Sequence, residues 1–413
     1  MNPQQISRRG FVALSAGAAI VVHAADGKRL EKLSVGIVGP GDRGRGLLGN
    51  FFAVAAEQQA ELTAVCDIWG RNRDKAAALV KDKTGREPRQ FRSLDDMLAW
   101  SGLDAVIIAT PDHAHARHLT ACLNAGKHVY CEKPFANVLD DANTAIDAWR
   151  NCDRVVTLGT QRRSDPRYLA AAEVMRSGAL GDIIRVEMVQ NAYSPYRWRR
   201  DAEVAALKES EVDWKAFLAG KPMRKFDPRV YLEFRLFRDF SSGIIDQWMT
   251  HMIDTVHFLT GATFPRSVVA NGGTYAWKDH RDNGDTLAVL LDYPQGFLCS
   301  YSSTLANGFG SSCSILGRNG TLEFEDRWQI SGQGVPGSKL ATKPIEPKAG
   351  MTKNMDHAHV ADWLACIHRS DRRTRCTPEH GYQHAIACIM AARAFGSGRR
   401  MIYDEKSRTI REG

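Results

Sequence analysis

Residues 33–44 read LSVGIVGPGDRG, a β-branched run that ends in three glycines, Gly39, Gly41 and Gly44, before the apolar helical pattern GLLGNFF at 46–52. Few folds accept that order. A strand that turns at once into a helix, bare of side chains at those three points, needs a tight turn, an open approach over the second glycine and close helix–strand packing. These are the demands of a G-x-G-x-x-G dinucleotide-binding βαβ unit. The helix start then offers free N–H groups and its positive dipole end to a phosphate, with Asp42 and Arg43 inside the turn.

A second strand, LTAVCD, ends at Asp67, 23 residues beyond Gly44 and close to the ~20 expected for the acidic residue that accepts hydrogen bonds from the adenosine ribose. A carboxylate there repels a 2′-phosphate and favours NAD over NADP, with Arg71 and Arg73 nearby as the counterweight. Helical and strand patterns go on alternating through DAVIIATP (104–111) and GKHVYCEKPFA (126–136). That alternation predicts a doubly wound parallel sheet, with ligands beyond the carboxyl ends of the strands. Thr110, Pro111, Glu132 and Lys133 all fall on that rim. His113, His115 and His118 lie between them without a carboxylate to complete a metal site, and are read as solvated or helix-capping.

The chain has 413 residues, enough for two domains and a short appendage. Its net charge of +8 is scattered, the densest runs being RWRR (197–200) and RRTR (372–375), so a nucleic-acid partner is not expected. Nine cysteines with no C-x-x-C pair argue against a disulfide framework or structural zinc. Residues 1–25 join two arginines to an apolar stretch of about 13 residues and small residues suited to cleavage, the pattern of an export signal too short to span a bilayer. Ser7-Arg8-Arg9-Gly10-Phe11 resembles a bacterial twin-arginine signal, which implies export of an already folded protein to the periplasm.

The blocks VGIVGPGDRGRG, AVCD, IIATPDHAHARHLTACLNAGKHVYCEKPFA, GTQRRSDPRY and SGIIDQWMTHMIDTVHFLTG together resemble the Gfo/Idh/MocA oxidoreductases. The resemblance implies an N-terminal Rossmann domain (31–155) and a second domain with an open, largely antiparallel sheet (156–350). A C-terminal helical segment (351–413) follows, and a homodimer or homotetramer forms through the sheet's outer face. It makes Lys133 of the E-K-P motif and His251 the catalytic pair, with Glu132 holding the lysine. It also places Thr110, Pro111, His115, Gln161 and Arg163 around NAD. A desolvated ammonium and a neutral imidazole suit the proton transfer that accompanies oxidation of a sugar hydroxyl.

One departure stands out. The family pattern has an aspartate four residues before the histidine, whereas Asp246 lies five before His251 and Gln247 occupies the matching place. Tyr193, Tyr196 and Trp198 follow a strand and are candidates to stack on a pyranose, with Arg197 or Arg199 on its hydroxyls. An exported enzyme finds no free NAD outside, so the nucleotide is expected to stay bound and be recycled. Two chemistries allow that: oxidation of one sugar with reduction of a second acceptor, or an NAD-dependent glycosidase cycle of the α-N-acetylgalactosaminidase type, with oxidation, elimination, water addition and re-reduction. The second needs a further base, for which Tyr193, Tyr196 and Tyr301 are candidates. A sugar or nucleotide sensor on the same fold is the non-catalytic alternative, and Lys133 and His251 speak against it.

Overall fold

The computed structural model describes residues 32–347 and 354–413; the expected leader, residues 1–25, lies outside them. Six strands form the first sheet: β1 (Leu33–Val38), β2 (Ala60–Cys66), β3 (Arg89–Phe91), β4 (Ala105–Ile108), β5 (His128–Cys131) and β6 (Val156–Leu158). They run parallel in the order β3-β2-β1-β4-β5-β6. Strand order reverses between β1 and β4, and the crevice of a doubly wound sheet opens there. Because β6 joins this sheet, the first domain runs past 158 and not to 155. The alternation of the sequence had hidden that strand in a three-residue run.

The three glycines behave differently, as their positions require. Gly39 has φ +75°, and a Cβ there would stand 2.8 Å from the Thr110 backbone at the end of β4. A Cβ on Gly44 would lie 2.7 Å from the Gly39 carbonyl oxygen, so this glycine lets the helix Asp42–Ala55 close onto β1. Above Gly41 the space is open, the nearest atom being Asn72 Nδ2 at 4.0 Å. Two glycines therefore serve packing, and the middle one leaves room for a ligand.

The second sheet has ten strands: β7 (Ile183–Val189), β8 (Ser267–Gly273), β9 (Thr286–Tyr293), β10 (Phe297–Thr304), β11 (Ser312–Gly317), β12 (Thr321–Phe324), β13 (Gln329–Ser331), β14 (Lys343–Pro344), β15 (Met401–Asp404) and β16 (Thr409–Glu412). All neighbours are antiparallel except β7 with β10, which makes the sheet open and largely antiparallel as expected. Along β9, Leu287, Val289, Leu291 and Tyr293 face inward and Leu290 outward, the two-residue period of a half-buried strand. The inner face packs on the helices Thr250–Thr260 and Pro378–Ser397.

The C-terminal segment is not wholly helical. Its helix Met355–His368 returns to the first domain, where Val360, Trp363 and Leu364 pack with Leu47, Leu48 and Phe51. Its last residues add β15 and β16 to the edge of the second sheet, strands too short for sequence periodicity to show. All nine cysteines are free, and all but Cys152 are buried.

The glycine geometry separates two substitutions. Gly44→Ala should lower stability by about 1–3 kcal/mol, the cost of overpacking against fixed backbone, read as a lower urea midpoint. Gly41→Ala should leave that midpoint in place and weaken nucleotide binding, because its new methyl group enters only the open space.

Candidate active site

A cavity of about 420 Å³ lies over the carboxyl ends of β1, β2 and β4. Its floor carries Gly39, Gly41, Asp42, Arg43, Asp67, Thr110 and Pro111, and its roof comes from the second domain through Phe217, Tyr231, Phe234 and Arg235. The open approach over Gly41, the N-terminus of the helix Asp42–Ala55 and a buried carboxylate at the end of β2 fit a dinucleotide. Asp67 Oδ1 accepts a hydrogen bond from the Trp69 backbone, and burial pushes its carboxyl up to about 6. Arg71 and Arg73 are not part of the cavity. Arg71 lies over the Trp69 ring, and Arg73 donates to the Asp67 carbonyl.

The E-K-P loop leaves β5 beside this cavity. Glu132 is 3% exposed and its Oε1 accepts from Arg43 Nε at 2.7 Å, so the glycine turn and the loop are joined by an ion pair between a buried carboxylate and a half-buried arginine. The other carboxylate oxygen accepts from the Lys133 backbone N–H. A side chain on Gly159 would come within 2.9 Å of this carboxyl group, which explains the bare position on the neighbouring strand end. Glu132 thus holds Lys133 by its main chain, and the expected direct grip on the ammonium is replaced. Lys133 Nζ donates instead to the Gln247 carbonyl at 3.1 Å and its side-chain oxygen at 3.3 Å. Gln247 Nε2 in turn donates to Asp112 Oδ2, which also accepts from Ser241 Oγ.

Gln247 reaches Lys133 because the helix around it is wound differently. Ile245–Met249 is a π-turn, with the Thr250 N–H donating to the Ile245 carbonyl five residues back. Such a turn absorbs one extra residue without ending the helix. The five-residue spacing of Asp246 to His251 is thereby accommodated, and Asp246 is buried beside Asp112 and Lys133 with its Oδ2 accepting from the Ser242 N–H. Burial, reinforced by Asp112, pushes its carboxyl up to about 7.

His251 begins the ordinary α-helical part of the same element. Its Nδ1 is buried and has no hydrogen-bond partner among the described residues. Burial, then the charges of Lys133, Arg162 and Arg43, hold its imidazole well below the ordinary histidine value. Burial also lowers the Lys133 ammonium, against the opposing pull of Asp112 and Glu132. A neutral imidazole with a free ring nitrogen and a softened ammonium therefore lie within electrostatic reach of each other, next to the loop that Glu132 ties to the glycine turn. This is equipment for moving a proton to or from a hydroxyl group.

Residues 33–160 match the family described as "Oxidoreductase family, NAD-binding Rossmann fold", and residues 222–401 match its "C-terminal alpha/beta domain". The chain belongs to the Gfo/Idh/MocA oxidoreductase family. An inositol 2-dehydrogenase of Rubrobacter xylanophilus is 36% identical over 379 residues, 88% of this chain and 92% of that protein. A levoglucosan dehydrogenase in complex with NADH shares the fold at a TM-score of 0.69 and 18% identity, with 89% of this chain and 98% of that one covered. The WlbA dehydrogenase of Bordetella pertussis, in complex with NADH and UDP-GlcNAcA, does so at 0.67 and 21%, over 90% and 99% of the two chains. The cofactor of this family member is NAD, and its NAD-binding fold is the first domain.

Several family-based expectations change on the structure. Arg163 does not edge the cofactor: its Nε is tied to both oxygens of Asp254, 1% exposed, in an ion pair that also takes His384. Its neighbour Arg162 stands near His251 instead, bonded to Glu325 at 2.8 Å. Gln161 donates to Asp356, which also pairs with Arg43. His115 is a staple, not a wall of the pocket, with Nδ1 2.8 Å from the Pro134 carbonyl and Nε2 2.7 Å from that of Thr110. None of the three clustered histidines is solvated. His113 contacts the Phe217 carbonyl, and His118 lines the cavity beside Thr110.

Tyr193 and Tyr196 lie against Trp277, while Arg197 is layered between Trp198 and Trp248. Arg199 is engaged with Asp201 and the Tyr196 ring, and the Nε atoms of both Arg197 and Arg199 are buried without a hydrogen-bond partner among the described residues. Tyr301 is 0% exposed with its hydroxyl toward Gln190, which removes it as a base. Asp112, Arg235 and Asp356 were missed, and Gln247 was noted only as filling the aspartate's place. Asp112 directly follows the flagged Pro111, and its position at a strand end was the available signal; the others join the site only through tertiary contacts.

The buried Asp246 carboxyl binds its proton more tightly folded (about 7) than unfolded, where 3.8 is its ordinary value. Its contribution to stability is therefore present below about pH 4 and lost as pH rises through about 7. Asp246→Asn should raise the melting temperature relative to wild type at pH 8 and not at pH 4. Equal differences at both pH values would contradict the buried-carboxyl assignment.

Proposed function

We propose that this chain is an exported NAD-dependent oxidoreductase that oxidises a secondary alcohol of a sugar or cyclic polyol and keeps its NAD bound between turnovers. The observation that carries the reading is buried His251, its Nδ1 without a partner among the described residues, within electrostatic reach of Lys133, whose ammonium is held on Gln247. NAD, when bound, accepts two electrons from the substrate carbon together with its hydrogen. His251 Nδ1 takes the hydroxyl proton, and Lys133 Nζ donates a hydrogen bond to the same oxygen while charge develops on it. In the reverse half-reaction the two groups return a proton to a carbonyl acceptor.

The 36% identity with an inositol 2-dehydrogenase supports a cyclic polyhydroxylated substrate. So do the partly exposed rings of Trp198 and Trp248 beside the π-turn, with Arg197 layered between them. Tyr193 and Tyr196 add two exposed rings. The glycosidase cycle is the weaker reading, because Tyr301 is buried and Tyr193 and Tyr196 pack on Trp277. The Ser7–Phe11 motif supports twin-arginine export to the periplasm, and export supports recycling of the nucleotide on the enzyme. Exposed Ile184, Leu290 and Leu298 on the outer face of the second sheet support a homodimer or homotetramer through that face.

The test is turnover of cyclic polyols and monosaccharides with a carbonyl acceptor and no added NAD. Lys133→Met and His251→Ala should each lower kcat/KM by about 10²–10⁴-fold, the usual contribution of a general acid–base group, with NAD content unchanged. Unchanged turnover in Lys133→Met would sink the catalytic assignment of that lysine, and a wild type without turnover would return the protein to the sensor reading.

A further inference from the structure

Residues 161–221 fall between the two segments that match the family. Their second half, with the residues up to 240, forms the roof over the nucleotide cavity. It is built of short helices, Asp201–Ala206, Trp214–Leu218 and Pro228–Leu232, none long enough to stand alone. What holds them is a private apolar cluster of Trp214, Phe217, Leu218, Val230, Phe234 and Phe240, against which Ile68 of the first domain packs.

The roof is fastened to the first domain at three places around the groove. At the glycine turn, Arg200 pairs with Asp42. Just after β2, the Asp213 N–H donates to the Ile68 carbonyl at 3.2 Å, Trp69 bridges to Val212, and the Trp69 ring meets Tyr231 edge-on at 6.0 Å. Near the end of β4, His113 Nε2 lies 2.7 Å from the Phe217 carbonyl. A nucleotide lying from Asp67 to Lys133 passes beneath all three.

One roof residue faces the groove with a charge to offer. Arg235 lines the same cavity as Gly39, Gly41 and Asp42, its guanidinium lies over the Phe234 ring, and among the described residues no carboxylate pairs with it. Its surroundings hold Asp112, Arg200, Asp42 and Glu132, and burial lowers its basicity, so the cation is only partly compensated. A desolvated guanidinium left without an anion is costly unless a ligand provides one.

We propose that residues 200–240 are a strap that closes over the bound dinucleotide and sets its rate of release, with Arg235 donating to the pyrophosphate from the side opposite the glycine turn. The strap clamps the nucleotide between two N–H-bearing surfaces: the helix N-terminus below and a planar fork above. Release then requires a sub-global opening in which the strap leaves the first domain as a unit. The proposal rests on the reading of NAD as a recycled group, because it supplies the device that retains it.

The experiment uses the full mature protein. Desalted holoprotein is mixed with excess isotopically heavy NAD, and the light nucleotide remaining bound is followed by mass spectrometry. Arg235→Ala should exchange about ten- to hundredfold faster than wild type, the effect of losing a charge-assisted hydrogen bond, and a variant that emerges from purification empty is the same result. Arg200→Ala, which removes only a surface fastening, should exchange faster with an unchanged thermal midpoint. Exchange of both variants at the wild-type rate would overturn the strap. Wild-type turnover that depends on added NAD, with the variants still faster in exchange, would sink recycling and leave the strap standing.

Discussion

Glu132 is the constraint around which the catalytic end is assembled. A carboxylate taken out of water costs several kcal/mol unless its lone pairs are met. Here Arg43 and the Lys133 N–H meet them. Arg43 belongs to the glycine turn, so the ion pair ties that turn to the E-K-P loop. Glu132 holds Arg43 more firmly protonated, while Asp356 adds a second anchor from the C-terminal segment. Loss of the carboxylate would strand a half-buried arginine and loosen both ends at once.

The second domain completes the site rather than merely covering it. Lys133 has its ammonium on Gln247, and Gln247 stands on Asp112 of the first domain, so a hydrogen-bonded chain crosses the domain boundary twice. His251 rides on the same helix, and the π-turn sets both at the required rotation. The chain from Lys133 through Gln247 to Asp112 therefore forms only when the two domains are docked.

What could be read from the residues followed from chemistry at fixed offsets. Gly39, Gly41, Gly44 and Asp67 are what the geometry of a phosphate-binding turn asks for, and Gly39, Gly41 and Asp67 line the cavity while Gly44 lets the helix close on Gly39. Lys133 and His251 were legible through the motif blocks around them. Arg163 was misjudged because adjacent arginines look alike in a chain, and only the fold reveals that Asp254 claims one of them. Asp246 looked out of register because spacing presumes α-helical winding, and a single five-residue hydrogen bond changes the rotation. The roof left no trace in the sequence, since its short helices gain their meaning from Ile68, Trp69 and His113, far away along the chain.

The free cysteines carry a last consequence. Eight of the nine are buried, and burial pushes the thiols of Cys66, Cys376 and Cys388 up to about 12. Oxidants attack the thiolate, so these sulfurs are chemically silent once the chain has folded. Unfolded, the same nine are a liability in any oxidising milieu, where mispairing outpaces correct folding. Folding in a reducing milieu would therefore leave eight of the nine sulfurs out of an oxidant's reach, with Cys152 alone partly exposed.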